Sequence, residues 1–356
     1  MFSFRTTPLE DQTDKALLHG QVACFCTQNC WDTFRGRYMY QLFAERGNLK
    51  EVFKPRSSEL TPGTNHIELE STAQLAGLSA VVVEIQDVGS RYFNFTKDVF
   101  RLMSMLSSMG DGAPALYVAD HINPAGRFVE GSIAQEDNRE DFTPKIAHRH
   151  GLTLGELCLL YYNEIGARFP LHIISAQASA STTHLLPWTI APASDIPGMF
   201  TSLMYSGGGL WNNTSITPAI GTSRPYEYIG APFIKPTMDN LPVPEGVLMR
   251  NCTFTPAAGR YEGQQCFGYQ IMLLPGYEYH SLLHTMQLMR YFAGRYSQFE
   301  VYADCYRKLS DPVMAEYISG ELSTEELREH IKTEEQKWIR KAKRFCLYDD
   351  QPIRMK

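Results

Sequence analysis

The 356-residue chain has no apolar run long enough to span a membrane, no extended run of Lys or Arg, no internal repeat and no low-complexity segment. A bilayer-spanning helix takes about 20 consecutive apolar residues, so the chain reads as a soluble protein. The first fifteen residues, MFSFRTTPLEDQTDK, lack the basic start, apolar core and small-residue cleavage site of a secretory leader, and the expected location is the cytoplasm. With a net charge of -6 there is no electrostatic footprint for nucleic acid or for an anionic membrane, which points to a small ligand. The one basic cluster, Lys337 to Arg344, alternates with Trp338 and Ile339, as on the wet face of an amphipathic helix.

Cofactor signals are equally sparse. No GxGxxG or Walker pattern is present, so backbone has no glycine-rich loop with which to approach a pyrophosphate, and no nucleotide is expected. Eight cysteines are too few for a disulfide framework at this length and are expected to be reduced and mostly buried. Cys24, Cys26 and Cys30 match no zinc spacing, and His148 with His150 lacks a third ligand nearby. His280 and His284 stand one helical turn apart, but Ser281 occupies the place of the glutamate in HExxH, so a packed or solvated pair is expected and no metal.

The length fits two domains, placed at 16–183 and 184–356. In the first, apolar runs rich in β-branched residues predict strands at Val22–Cys26, Leu49–Phe53, Ala80–Ile85, Ala115–Ala119 and Leu171–Ala176. Helical periodicity predicts helices around Tyr38–Glu45 and Thr96–Met109, and a capping box at Thr153 and Glu156 opens a third, to about Ile165. Strands that alternate with helices imply an α/β fold with a Rossmann-like parallel sheet. From His184 to Val247 the composition turns to Pro, Gly, Ser, Thr and Asn and reads as long loops. A strand pair ending at Gln270–Leu274, a helix over Tyr279–Tyr296 and helices opened by Pro312 and Ser323 complete a smaller α/β domain.

Parallel sheets bind ligands outside the carboxyl ends of their strands, which makes polar corners there the first site candidates. Gln86, Asp87, Arg91 and Tyr92 follow the Ala80–Ile85 run, and Asp120, His121, Asn123 and Glu130 follow Ala115–Ala119. The plainer alternatives are a turn capped by Asp87 with Arg91 as its surface partner, and a Pro and Gly turn with incidental charges. His150 lies on the loop entering the third helix, where a hydrogen-bonding role is the ordinary one.

Several of these segments together resemble one family, the domain of unknown function 1343, or NamZ-type exo-β-N-acetylmuramidases. IQDVGSRYFNF is similar to the family's IQDVGARFYTY, HINPAGRFVEG to its RPNPLGG and VEGP segment, RHGLTLGEL to RHGMTIGEL, and GTSRPYEYIGAP to GTTRPFELIGAP. Order and approximate spacing match from about Val22 to Tyr348. The resemblance implies a sugar site in the cleft between a Rossmann-like domain and a smaller one, with a carbohydrate or muropeptide as ligand and release of terminal N-acetylmuramic acid as the reaction. Carried over by position, it points to Asp87, Glu130 and Glu227 as carboxylates that could supply the acid. Arg91 and Arg224 would hold the lactyl carboxylate, Tyr92 and Trp211 would stack on the sugar, and Gln86, Asn123, His150 and Asn212 would complete the binding surface. Against the family pattern, Arg56 stands where a glutamate is expected, Asn212 and Pro218 replace acids, and the SPN turn reads Ala193, Ser194, Asp195. Two readings follow: a muramidase-type hydrolase using surviving carboxylates, or a catalytically silent homologue that binds the same sugar.

Overall fold

A computed structural model of the chain describes residues 19–32, 35–56, 58, 63, 65–135, 145–174, 190–348 and 352–355. In the first domain the strands are β1 (Val22–Cys26), β2 (Trp31–Asp32), β3 (Arg37–Tyr38), β4 (Leu49–Lys54), β5 (Ile67–Glu68), β6 (Ala80–Glu84), β7 (Ala115–Ala119) and β8 (Leu171–Ile174). Six of them form one sheet in the order β5-β4-β1-β6-β7-β8, and every pairing in it is parallel. β1, β6 and β7 are buried at every position, which is why they read as unbroken apolar runs with no alternation. The chain leaves β1 towards β4 and β5, then returns to β6 on the other side of β1. Such a reversal is where open parallel sheets generally place a ligand crevice, outside the carboxyl ends of the strands, here β1 and β6.

Three helices cover this sheet: α1 (Met39–Arg46), α2 (Asn94–Ser108) and α3 (Leu154–Glu164). Val99, Phe100, Leu102, Met103 and Leu106 of α2 are all buried, the apolar face its periodicity predicts. The Thr153 and Glu156 capping box opens α3.

The second domain contains α4 (Met199–Gly208), β9 (Tyr228–Ala231), β10 (Val247–Phe254), β11 (Cys266–Leu273), α5 (Ser281–Ala293), α6 (Ala303–Leu309), α7 (Pro312–Ser319) and α8 (Thr324–Ala342). Its sheet is antiparallel, in the order β10-β11-β9. The expectation of long loops over 184–247 is corrected where that stretch is described, since α4 and β9 lie within it. Helix α4 hides in a Gly and Ser composition because it crosses α5 at close range: a Cβ on Gly207 would run into the Ser281 carbonyl. The predicted helix over Tyr279–Tyr296 starts later, at Ser281, because the His280 side chain caps it by accepting the Leu283 N–H.

One apolar cluster runs through both domains, joining Phe100, Leu157, Trp211, Tyr269, Phe292 and Trp338, so the domains share a core. The opposite face of the parallel sheet carries a smaller cluster with Cys24, Cys26, Met39 and Phe43. All eight cysteines are free thiols, six of them buried. Among the described residues no helix is long and apolar enough to cross a membrane.

Candidate active site

The polar corners predicted as site walls turn out, for the most part, to build the joint between the domains. Arg91 is buried and its guanidinium donates to the carbonyls of Ser132 (2.9 Å), Ile146 (3.2 Å), Lys308 (2.9 Å) and Leu309 (2.5 Å). The last two belong to the final turn of α6, whose orphan carbonyls a cation at that position satisfies. Glu130 is buried, pairs with Arg149 at 2.8 Å and accepts from the backbone N–H groups of Ser281 and Leu282 at the start of α5. Arg149 in turn donates to the carbonyls of Tyr279 and Leu203. Trp338 of α8 donates from its indole to the carbonyl of His150.

Asp87, Gln86, Asn123 and His150 lie beneath this joint. Asp87 faces His150 at 3.2 Å and accepts from Thr96 Oγ1 and the Gly89 N–H. Burial pushes its carboxyl up, yet His150 and those two donors outweigh burial and hold it below its ordinary value. Gln86 donates to the carbonyls of Asp87 and Ile122, and Asn123 donates to that of Leu152. Asp120, after β7, accepts from Thr153, Gly155 and Tyr348, and burial still raises it to about 6. The expectation that the corner with Asp120, Asn123 and Glu130 forms part of the ligand site is therefore corrected, since none of them lines a described cavity that the Arg91 and Tyr92 corner borders. The backbone and side chains of 120–131 are taken up in holding the domains together.

Two cavities bear on a site. The larger, about 650 Å³, lies between α5 and α8 beside Pro242–Glu245, and its His280 and Glu335 are joined to each other at 2.9 Å. The other, about 320 Å³, lies where the start of α2 meets the second domain. It is the more polar of the two and gathers convergent side chains from separate parts of the chain: Arg91, Tyr92 and Lys97 from the first domain, Asp195, Tyr205, Asn212 and Tyr226 from the second, and Asp304 and Arg307 from α6.

The chemistry of this second cavity is set by two hydrogen-bonded chains. Tyr226 donates its hydroxyl to Asp195 Oδ2 at 2.8 Å, and Asn212 Nδ2 donates to the same tyrosine oxygen at 3.3 Å. Tyr226 sits in the left-handed region at φ 63°, a conformation that costs a non-glycine residue roughly 1–3 kcal/mol. It is held there by its N–H bond to the Pro218 carbonyl, at 2.7 Å, and by edge-on packing against Tyr205 at 4.9 Å. On the other wall, Arg91 donates to His148 Nε2 at 2.9 Å, so the neutral ring carries its proton on Nδ1, 2.5 Å from the Tyr92 oxygen. Burial, reinforced by Arg91, holds the His148 pKa well below its ordinary value, consistent with that neutral form. The Tyr92 oxygen thus accepts from His148, leaving its own hydrogen to turn towards the cavity.

Of the remaining sequence candidates, Trp211 is corrected: it is buried and packs edge-on against Phe292 at 5.8 Å, inside the shared core. Arg224 is half exposed and donates to Glu227 Oε2 at 2.9 Å, while Thr201 donates to the other oxygen of Glu227. Neither lines the 320 Å³ cavity. Among the described residues no cluster of three His, Cys, Asp or Glu side chains is placed to hold a metal ion.

Two family models match the chain in sequence, exo-β-N-acetylmuramidase NamZ, N-terminal, over residues 64–196 and exo-β-N-acetylmuramidase NamZ, C-terminal, over residues 203–348. The chain belongs to the NamZ family. The peptidoglycan β-N-acetylmuramidase NamZ of Bacillus subtilis (strain 168) is 28% identical over 209 residues, which are 55% of this chain and 49% of that protein. The match thus spans about half the length of the curated relative. Crystal structures of two DUF1343 family proteins from Bacteroides fragilis share the fold over 98% of this chain and all of theirs, at TM-scores of 0.80 and 0.76 and identities of 18% and 19%.

Within the NamZ framework, sequence reasoning reached Arg91, Tyr92 and Asn212 but did not name Asp195 as a site residue, nor Tyr205, Tyr226, Lys97, Asp304 and Arg307. Asp195 and Tyr226 both lie in segments already compared with the family, the SPN-like turn and GTSRPYEYIGAP. Their juxtaposition needed the fold, because 31 positions separate them in sequence.

Proposed function

We propose that this chain is a glycosidase-like protein of the exo-β-N-acetylmuramidase type, binding the terminal N-acetylmuramic acid of peptidoglycan fragments in the 320 Å³ pocket. The observation that carries this reading is the lining. A carboxylate, an amide and a tyrosine hydroxyl converge on a cavity at the small end of the range for small-molecule sites, roughly 300–1,000 Å³. Such groups match sugar hydroxyls, and Tyr92 and Tyr205 offer aromatic surface for a sugar ring. Lys97 and Arg307 at the same pocket supply the positive charge that a lactyl carboxylate calls for. Arg91 borders the same pocket, but its terminal nitrogens are taken up by backbone carbonyls, so Lys97 and Arg307 take over the role that the sequence suggested for it and for Arg224.

The silent-binder reading draws its support from Arg56, a cation at the position of the family's glutamate. Its backbone N–H donates to Asp98 Oδ2 at 2.9 Å, and it borders a separate small cavity with Lys54 and Arg101, a basic setting in place of an acid.

The test is turnover of para-nitrophenyl N-acetylmuramide and the matching glucosaminide, with calorimetry of free N-acetylmuramic acid alongside. Turnover of the muramide in preference to the glucosaminide is the expected result. Binding without turnover would favour the silent homologue, and neither binding nor turnover would overturn the sugar site.

A further inference from the structure

We infer that Asp195 is the catalytic carboxylate of this pocket, with Tyr226 and Asn212 as the residues that position it. The inference rests on the reading of the pocket as a glycoside site and names the group that would act there.

Asp87 and Glu130 are buried and hydrogen-bonded within the domain joint, and Glu227 is engaged by Arg224 and Thr201. Among the described residues two carboxylates line the pocket, Asp195 and Asp304, and Asp304 is ion-paired with Arg307 one turn along α6. Asp195 also has partners, and one of them is a neutral donor, the Tyr226 hydroxyl, at the pocket wall. It is partly exposed, it sits in a turn closed by the Ile196 N–H bond to the Ala193 carbonyl, and one of its oxygens is fixed by Tyr226. Asn212 donates to Tyr226 and Tyr226 donates to Asp195, so both hydrogen bonds point the same way and favour the carboxylate over the acid. The left-handed backbone at Tyr226 is the second, independent sign of a built site, since strained residues persist where the surroundings over-determine them.

A partly exposed carboxylate held by a hydrogen bond at the pocket wall suits the base of a hydrolytic step. A water adds its oxygen to the anomeric carbon and gives one proton to Asp195, while the electron pair of the breaking C–O bond leaves with the departing oxygen. An aryl leaving group departs as phenolate. A sugar oxygen takes a proton from solvent water, and Asp195 returns its own proton to solvent, so that hydrolysis consumes one water in all.

The experiment uses the full chain on para-nitrophenyl N-acetylmuramide. Asp195→Asn should lower kcat by about 100-fold to 10,000-fold while calorimetric binding of N-acetylmuramic acid stays within a few-fold of wild type. Azide, which needs no base, should restore turnover to Asp195→Ala and yield a glycosyl azide. Tyr226→Phe should lower kcat with KM unchanged, as loss of a positioning contact predicts. Wild-type rates in Asp195→Asn, or a loss confined to Asp304→Asn, would overturn the inference and leave the muramidase reading standing. A wild-type protein with no turnover would overturn that reading, and the role of Asp195 with it.

Discussion

Glu130 grips the start of α5 through Ser281: one carboxylate oxygen accepts the Ser281 N–H at 2.8 Å and the other accepts its hydroxyl, also at 2.8 Å. The residue comes from the parallel-sheet domain and the helix from the second, so a single side chain anchors one domain on the amide end of a helix in the other.

Glu130→Ala should therefore act on stability before it acts on any ligand. Removing the carboxylate leaves the buried Arg149 guanidinium without its ion pair and the first amides of α5 without an acceptor, a loss of about 3–5 kcal/mol. Urea unfolding followed by far-UV circular dichroism would measure it. A change below about 1 kcal/mol would contradict this account of the joint.

The adjacent Gly131 makes a sharper test of packing. Its φ is 76°, and an added Cβ would collide with the His148 ring and Leu282. Gly131→Ala combines left-handed strain with that collision, so a loss of at least about 1–3 kcal/mol is expected in the same unfolding assay. An unchanged midpoint would show that the corner relaxes freely.

Arg91→Lys tests whether the guanidinium is a structural clasp. A lysine has three donors on a compact head and cannot span the carbonyls of Ser132, Ile146, Lys308 and Leu309 together. Each buried carbonyl left unpaired costs about 1–3 kcal/mol, so the variant should unfold at clearly lower urea. A midpoint matching wild type, paired with weakened muramic acid binding, would return Arg91 to the ligand.

His330 and Asp311, 2.8 Å apart, set an expected pH window. The hydrogen bond to Asp311 raises the His330 pKa above its ordinary 6.5, so its contribution is fully present below about 6.5 and fades as pH climbs through the raised value. Burial pushes Asp311 up, but His330, Ser132 and the Met314 N–H together lower it, so its contribution is present above about 3.8 and is lost as pH falls through the lowered value. Thermal unfolding should show the pair's stabilisation at its fullest between those limits. His330→Asn should flatten the alkaline decline. If wild type and variant have parallel profiles above pH 6.5, the pair contributes nothing there.

Much of the fold was legible in the sequence because its signals are local. The strands at Val22, Ala80 and Ala115 announce themselves by β-branched runs, and Thr153 with Glu156 announces the start of α3 within four residues. Helix α4 was not legible, because its glycines serve the approach to α5 and look, in sequence, like loop. The candidate site divides along the same line. Motif resemblance found the segments, but it could not show how each side chain is used: Arg91 and Tyr92 both border the pocket, yet the guanidinium of Arg91 is committed to four backbone carbonyls.

The sequence by itself determined the class of the chain: an α/β protein with a parallel sheet, a second smaller domain and the marks of the NamZ family, since periodicity, capping and motif order all lie along the chain. Tertiary structure alone decided which polar groups are available for chemistry. Asp87 and Glu130 lose that availability to partners up to 152 positions away, and Asp195 gains an oriented carboxylate from Tyr226, 31 positions away. Burial and hydrogen-bond saturation are properties of what surrounds a residue in space, and a linear pattern carries the residue type without those surroundings.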